Sequence, residues 1–245
     1  MKNLLIYISP KNQFNDEHRL MIEVQIDNSL VYWKKKDIVL LTNFPYEYNG
    51  VKAIVGPDSL INNLYWKNPR GIVNSKINGI IYLLENKLIE ETWFHDLDSF
   101  QIAPLDVELK KDIGLTCYGI YPPSKFIELN GTHKHRINFG NVFFKKESLD
   151  IFKELLKKMD REDLYEEDAM TLMFERLSDR LQIMDQSYNI GIRCTTSNIR
   201  ISEKPIKVVH FPPHTHWLTK MRALLPPRLT ELLDAKFNDN IPDSQ

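Results

Sequence analysis

Two aspartates one residue apart, Asp96 and Asp98 in the run His95-Asp96-Leu97-Asp98, are the sharpest chemical signal in this chain. In an extended segment residues i and i+2 point the same way, so the pair offers two hard oxygen ligands to one divalent cation, Mn2+ or Mg2+. A cation held there neutralises a diphosphate and stabilises the negative charge that develops on a departing group. Alone, Asp-x-Asp also recurs in loops, where the carboxylates bond to nearby backbone amides. Three acids in succession, Glu166, Glu167 and Asp168, open a helix pattern; they are either dipole-compensating residues or carboxylates turned toward a substrate. His133/His135 and His214/His216 form two His-x-His pairs, and a zinc site on His210, His214 and His216 is an alternative that leaves the aspartates without a role. Arg70 and Lys76 precede Asp96 and are candidates for phosphate contact or solvated surface charge.

These residues need elements to position them. Leu4 to Ile8 is a continuous apolar run ending at Ser9-Pro10, as expected of a strand buried on both faces of a largely parallel sheet. Helical spacing of Leu20, Val24 and Val31 predicts a helix within His18 to Trp33, although Ile22 to Ile26 also alternates. Its interrupting Asp27-Asn28-Ser29 receives no role. Asp37 to Thr42 and Val51 to Val55 read as further strands. Val73, Ile77, Ile80, Ile81, Leu84 and Leu88 mark a helix, and Glu91 to His95 a strand running into the acids. Strands are expected over Ile113 to Tyr118 and Asn141 to Phe144. A helix capped by Ser148 then carries Phe152, Leu155 and Met159, and another carries Ala169, Leu172, Met173 and Leu177. Strands alternating with helices predict an α/β fold with a mainly parallel central sheet. In such sheets a nucleotide sits at the carboxyl ends of the strands, which makes Ser9, Asn43 and Phe44 candidates for base and ribose contacts.

Composition sets the limits. The 245 residues, 42% hydrophobic and 27% charged, suffice for one substantial core, and no linker divides them. The apolar runs are too short to span a bilayer. A formal net charge of -1 lacks the broad positive field of a duplex-binding protein, so nucleic acid is not an expected partner. Cys117 and Cys194 are too few for a disulfide scaffold, and Met1 to Pro10 lacks the parts of a signal peptide, so a cytoplasmic location is expected. Trp217 to Phe237 mixes apolar and basic residues, which permits a membrane-surface role. Helical spacing of Leu229, Leu232 and Leu233 after Pro226-Pro227 favours packing on the chain's own domain instead.

A first strand at the N-terminus, Asp-x-Asp after about a hundred residues, and the phrase Arg136-Ile137-Asn138-Phe139-Gly140-Asn141 before a strand and helix together resemble the GT-A glycosyltransferases. Asn138-Phe139-Gly140 is similar to that family's Asn-x-Gly segment, although many relatives carry a small residue where Phe139 stands. Val208-Val209-His210-Phe211 resembles the segment by which several retaining members supply a histidine ligand; the glycine and lysine that usually follow are replaced by Pro212-Pro213. The resemblance implies a single Rossmann-like domain over residues 1–218 with a C-terminal helical appendage, residues 219–245, packed on it. It also implies a metal held by Asp96, Asp98 and His210. Asp168 is the expected carboxylate at the sugar, with Asn138 and Glu167 beside it. The implied reaction is hexose transfer from a nucleoside diphosphate sugar, UDP first, to a hydroxyl of a glycan, glycolipid or glycoprotein, with retention slightly favoured. The alternatives are a sugar-nucleotide nucleotidyltransferase, against which Ser9-Pro10-Lys11-Asn12-Gln13 lacks a glycine-rich phosphate loop, and a non-catalytic nucleotide- or sugar-binding module.

Overall fold

Alternation along a strand sends successive side chains to opposite faces, and the first strand shows what that requires here. In β1 (Lys2–Tyr7) Leu4 and Ile6 join one apolar cluster while Leu5 joins another, so both faces are covered. A computed structural model describes residues 1–61, 70–117, 137–191, 204–211 and 223–237 of the chain, apart from the side chains of Arg70 and Ile72. Strand β1 is central. It pairs in parallel with β2 (Ile38–Thr42), and the hairpin β3 (Glu47–Tyr48) and β4 (Val51–Lys52) leads to β5 (Ile54–Val55), parallel to β2 at the sheet edge. The predicted strand over Val51 to Val55 is thus two short strands in two sheets. On its other side β1 pairs in parallel with β6 (Thr92–His95), whose end carries the two aspartates.

Beyond β6 the order continues through β9 (Ile137–Phe144) to β8 (Ile113–Cys117) and β10 (Leu181–Ile183), giving a seven-stranded sheet ordered β10-β8-β9-β6-β1-β2-β5. Only β9 opposes its neighbours; the sheet is otherwise parallel, as the alternating pattern predicts. Strand β9 is wholly buried and begins four residues before the predicted Asn141, because Asn138 and Gly140 belong to it. Its register with β8 jumps from Leu115↔Val142 to Thr116↔Asn138. The extra residues bulge away from β8, and bulges re-aim side chains next to functional sites.

One face of the sheet is covered by α2 (Arg70–Glu85), α3 (Leu149–Glu162) and α4 (Glu166–Met173), whose Ile80, Leu83, Phe152, Leu155 and Met170 share a core with Leu4 and Leu115. Helix α2 stops before Leu88, which is exposed, and α4 gives way to turns before Leu177. Ser148 does precede α3, but its hydroxyl donates back to Lys145 O instead of capping an amide.

The other face carries α1 (Asp16–Tyr32), capped by Asn15, which accepts from the His18 amide. Helix α1 is sandwiched, with Ile22 and Ile26 against the central sheet and Met21 and Val24 in a separate core under a small second sheet. That sheet has the order β11 (Ile190–Gly191), β12 (Val208–His210), β7 (Ser99–Gln101), with β12 antiparallel to β7. A final helix, α5 (Pro227–Phe237), starts at Pro227, where a missing amide costs nothing, and buries Leu229, Leu233 and Phe237 in the same core. Lys236 Nζ, 2.5 Å from Glu23 Oε2, ties it to α1. Leu233→Ala is expected to lower unfolding free energy by about 2–4 kcal/mol in denaturant melts, as for truncation of a buried leucine.

Candidate functional site

The carboxyl end of β6 turns immediately into β7, and that turn builds the site. The Ser99 amide donates to Asp96 O at 3.0 Å, so Asp96 to Ser99 is a tight reversal and not the extended segment expected from sequence. The carboxylates therefore converge by turn geometry. Three neighbours hold the reversal: the Asp96 amide donates to Gly140 O on β9 at 2.9 Å, the Phe211 amide donates to Asp98 O at 2.8 Å, and Gln25 Nε2 on α1 donates to Leu97 O and Ser99 O at 2.6 and 2.9 Å. Asn28, next to it on α1, donates to Gln101 O, and Ser29 accepts from Asn3. Of the polar residues on the buried side of α1, Gln25 fixes this turn, Asn28 holds β7 through Gln101, and Ser29 holds β1 through Asn3.

Because β12 pairs with β7 through His210↔Ser99, the imidazole of His210 arrives beside Asp98. Asp96, Asp98 and His210 place one ligand atom each within 4.8 Å of one another. His210 Nε2 lies 3.1 Å from Asp98 Oδ1, and Nδ1 lies 3.2 Å from Asn189 Oδ1. Burial disfavours the charged forms of both, yet mutual attraction wins: the Asp98 carboxyl is held down at about 2 and the His210 imidazolium is raised above its ordinary value. Gly140 allows this approach. A Cβ on it would fall 2.3 Å from His210 Cε1 and 2.8 Å from Nδ1.

Lys76 on α2 completes the charge balance, its Nζ 2.5 Å from Asp96 Oδ1. Burial works against its charge, but Asp96 and then Glu166 overcome that and raise it. Glu166 is 7% exposed, and burial pushes its carboxyl up to about 7 against the opposing pull of Lys76. Glu167 Oε1 accepts from the Phe139 amide at 3.4 Å and adds its field to His210. Asp168 is half-buried. Successive helical residues are rotated by about 100°, so Asp168 faces roughly away from the direction Glu166 takes. Asn138 turns inward, accepting from the Gly140 amide at 2.8 Å, and so shapes the bulge. His95 is no ligand: its Nε2 meets Asn3, its ring stacks on Trp93 at 4.0 Å, and burial lowers it to about 4.

At the ends of β1 and β2, Asn43 accepts from the Ser9 amide, and its Nδ2 donates to Ser9 O and to Asn12 Oδ1. These contacts zip the two strand ends together. Phe44 joins rings that sequence reading passed over: Phe14 lies 4.9 Å from Phe44, 4.7 Å from Tyr7 and 4.7 Å from Tyr46, with His18 5.0 Å from Tyr7. Their only signal was an aromatic cluster in the segments that follow β1 and β2. Arg70 opens α2, but its side chain lies outside the described residues, as do His133, His135, Cys194, His214 and His216.

No family model and no curated protein matches the sequence. Solved structures do match in three dimensions. The chain is similar to the galactosyltransferase LgtC, solved with donor and acceptor sugar analogues, at TM-score 0.63 and 15% identity over 99% of this chain and 98% of that one. It is similar to mouse xyloside xylosyltransferase 1 at TM-score 0.55 and 14% identity, covering 85% and 96% of the two chains. The glycosyltransferase GlyE of Streptococcus pneumoniae TIGR4, in its apo form, matches at TM-score 0.54 and 12% identity over 100% of this chain and 66% of that one. The fold is that of the GT-A glycosyltransferases, as the order of motifs implied.

Proposed function

We propose that the protein is a metal-dependent glycosyltransferase that moves a hexose from a nucleoside diphosphate sugar, UDP first, to a hydroxyl of a glycan or glycoconjugate. The observation that carries this reading is the convergence of Asp96, Asp98 and His210 at the carboxyl end of a central strand in this fold. Two hard carboxylates suit Mn2+ or Mg2+, the imidazole beside them favours Mn2+ of the two, and the Gly140 cradle that admits His210 fits the same set. Such an ion, when bound, supplies positive charge to the donor diphosphate.

The chain's own residues do the rest. Lys76 keeps its charge beside Asp96 and meets the diphosphate as a second cation. Glu167 lies against the bulge of β9 and, with the buried Glu166, faces the donor sugar; these two displace Asp168 as the preferred carboxylates. Asn138 acts by holding Gly140 and the bulge in shape. Phe14, Phe44 and Tyr7 line the strand ends where the base belongs, with Ser9 and Asn43 fixing that rim. Retention remains the favoured stereochemical outcome, and NMR of the product linkage decides it.

No helix among the described residues is long and apolar enough to cross a membrane. We place the protein in the cytoplasm, with α5 serving its own core in preference to a lipid surface. The deciding experiment incubates the protein with radiolabelled nucleotide sugars and Mn2+. Slow metal-dependent donor hydrolysis is expected; pyrophosphate-dependent formation of nucleoside triphosphate, or binding without turnover, would overturn the reading.

Metal binding must also displace the proton on His210, because an imidazolium cannot ligate. Since the His210 pKa is raised and that of Asp98 lowered, Mn2+ affinity is expected to fall about tenfold per pH unit below the His210 pKa, while Asp98 stays ionised. Titration by Mn2+ electron paramagnetic resonance between pH 5 and 9 reads this directly.

A further inference from the structure

His210 is gripped from two sides, and only one grip belongs to the proposed ligand cluster. Its Nε2 faces Asp98, while its Nδ1 lies 3.2 Å from Oδ1 of Asn189. The other end of that amide is committed elsewhere: Asn189 Nδ2 donates to Thr116 Oγ1 at 3.0 Å. Asn189 is 3% exposed and Thr116 fully buried, so water does not compete for these bonds. The backbone is fixed as well. The Asn189 amide donates to Gln186 O, the Ser187 amide donates to the Asp185 carboxylate, and Gln186 Nε2 donates to Cys117 O on β8. The relay thus runs from the central sheet at Thr116, through Asn189 just before β11, to the imidazole on β12.

We infer that Asn189 is a positioning residue that makes His210 an Nε2 ligand. With Oδ1 presented to Nδ1, the ring keeps a proton on Nδ1 and leaves the Nε2 lone pair free toward Asp96 and Asp98. A hydrogen bond to the remote nitrogen of a ligating histidine sets its tautomer, ring plane and basicity. An apolar residue at 189 would leave a buried Nδ1–H without an acceptor, and the ring would turn or exchange tautomers. Thr116 acts one step further back, by keeping the amide from flipping.

This rests on the metal-dependent reading above, and the test separates the two. Mn2+ is added without donor to wild type, Asn189→Leu, Asn189→Asp, Thr116→Val and His210→Ala. Affinity is read by the free-ion electron paramagnetic resonance signal, and ligation by nitrogen modulation in electron spin-echo spectra. The expected result is a nitrogen signal in wild type that His210→Ala removes. Asn189→Leu should weaken binding about 10- to 100-fold and lose most of the nitrogen signal, while Asn189→Asp, which keeps an acceptor at Nδ1, retains both. Thr116→Val should fall between them and serves as the variant that leaves residue 189 in place. Unchanged affinity and nitrogen signal in folded Asn189→Leu would overturn the role of Asn189 and leave the metal site standing. Absence of the nitrogen signal from Mn2+-loaded wild type would remove His210 from the ligand set, and Asn189's role with it.

Discussion

Asp98→Asn is expected to reduce metal-dependent turnover by at least about a hundredfold, the scale of losing a group that stabilises developing charge. The amide keeps the shape of the side chain and leaves the Asp98 carbonyl free to accept from Phe211, so the turn should survive. Stability is affected through the partner. His210 has a raised pKa when folded, so its ion pair contributes fully below the unfolded value of about 6.5 and is lost as pH rises through the folded value. Asp98 has a lowered pKa, so its share is present above about 3.9 and disappears as pH falls through the folded value. The variant should therefore melt earlier than wild type near pH 5.5 and match it near pH 9. Parallel thermal melts at those two pH values and a Mn2+-dependent hydrolysis assay check both parts. A large loss of stability at pH 9 would make Asp98 chiefly a turn residue.

Gly140→Ala is the second large effect. Gly140 does not have a positive φ, so alanine suits its backbone, and the only severe conflict is with a side chain. The new Cβ would lie 2.3 Å from His210 Cε1, well inside contact distance, while Asn138 Oδ1 at 3.1 Å needs to give only slightly. The imidazole ring is the part that can move, and moving it withdraws the proposed ligand. The expected outcome is a folded protein whose Mn2+ affinity falls about 10- to 100-fold and whose turnover falls with it. Circular dichroism and a metal titration separate this from unfolding. Retained affinity would mean that His210 is not a ligand at all.

Much of this arrangement is legible in the residues. The run Leu4 to Ile8, the helical spacing from Val73 to Leu84, and the aromatic strand ending at Asp96 give the layers and the position of the aspartates, because periodicity reports which faces are buried. The direction of β9 is not legible, since an antiparallel strand buried on both faces has the same apolar letters as a parallel one. Gln25 and Asn189 were missed for a related reason. Both are buried amides whose partners lie 72 to 74 and 21 residues away, and no local spacing carries such pairings. The preference for Asp168 over Glu166 rests on resemblance alone, because three adjacent acids differ only in the direction each takes from the helix, which the sequence does not carry.

The pairing of β12 with β7 also fixes when the site can exist. Asp98 and His210 are 112 residues apart, and the strand that delivers His210 rests on a core completed by Leu229, Leu233 and Phe237 of α5. During synthesis β2, β1 and β6 are made early together with both aspartates, but the turn that carries them still lacks its bonds to Gly140 and Phe211, and His210, the proposed third ligand, is still unmade. A growing chain therefore carries most of its central sheet before the proposed metal triad can assemble, which requires residue 210 to be made and β12 to pair with β7.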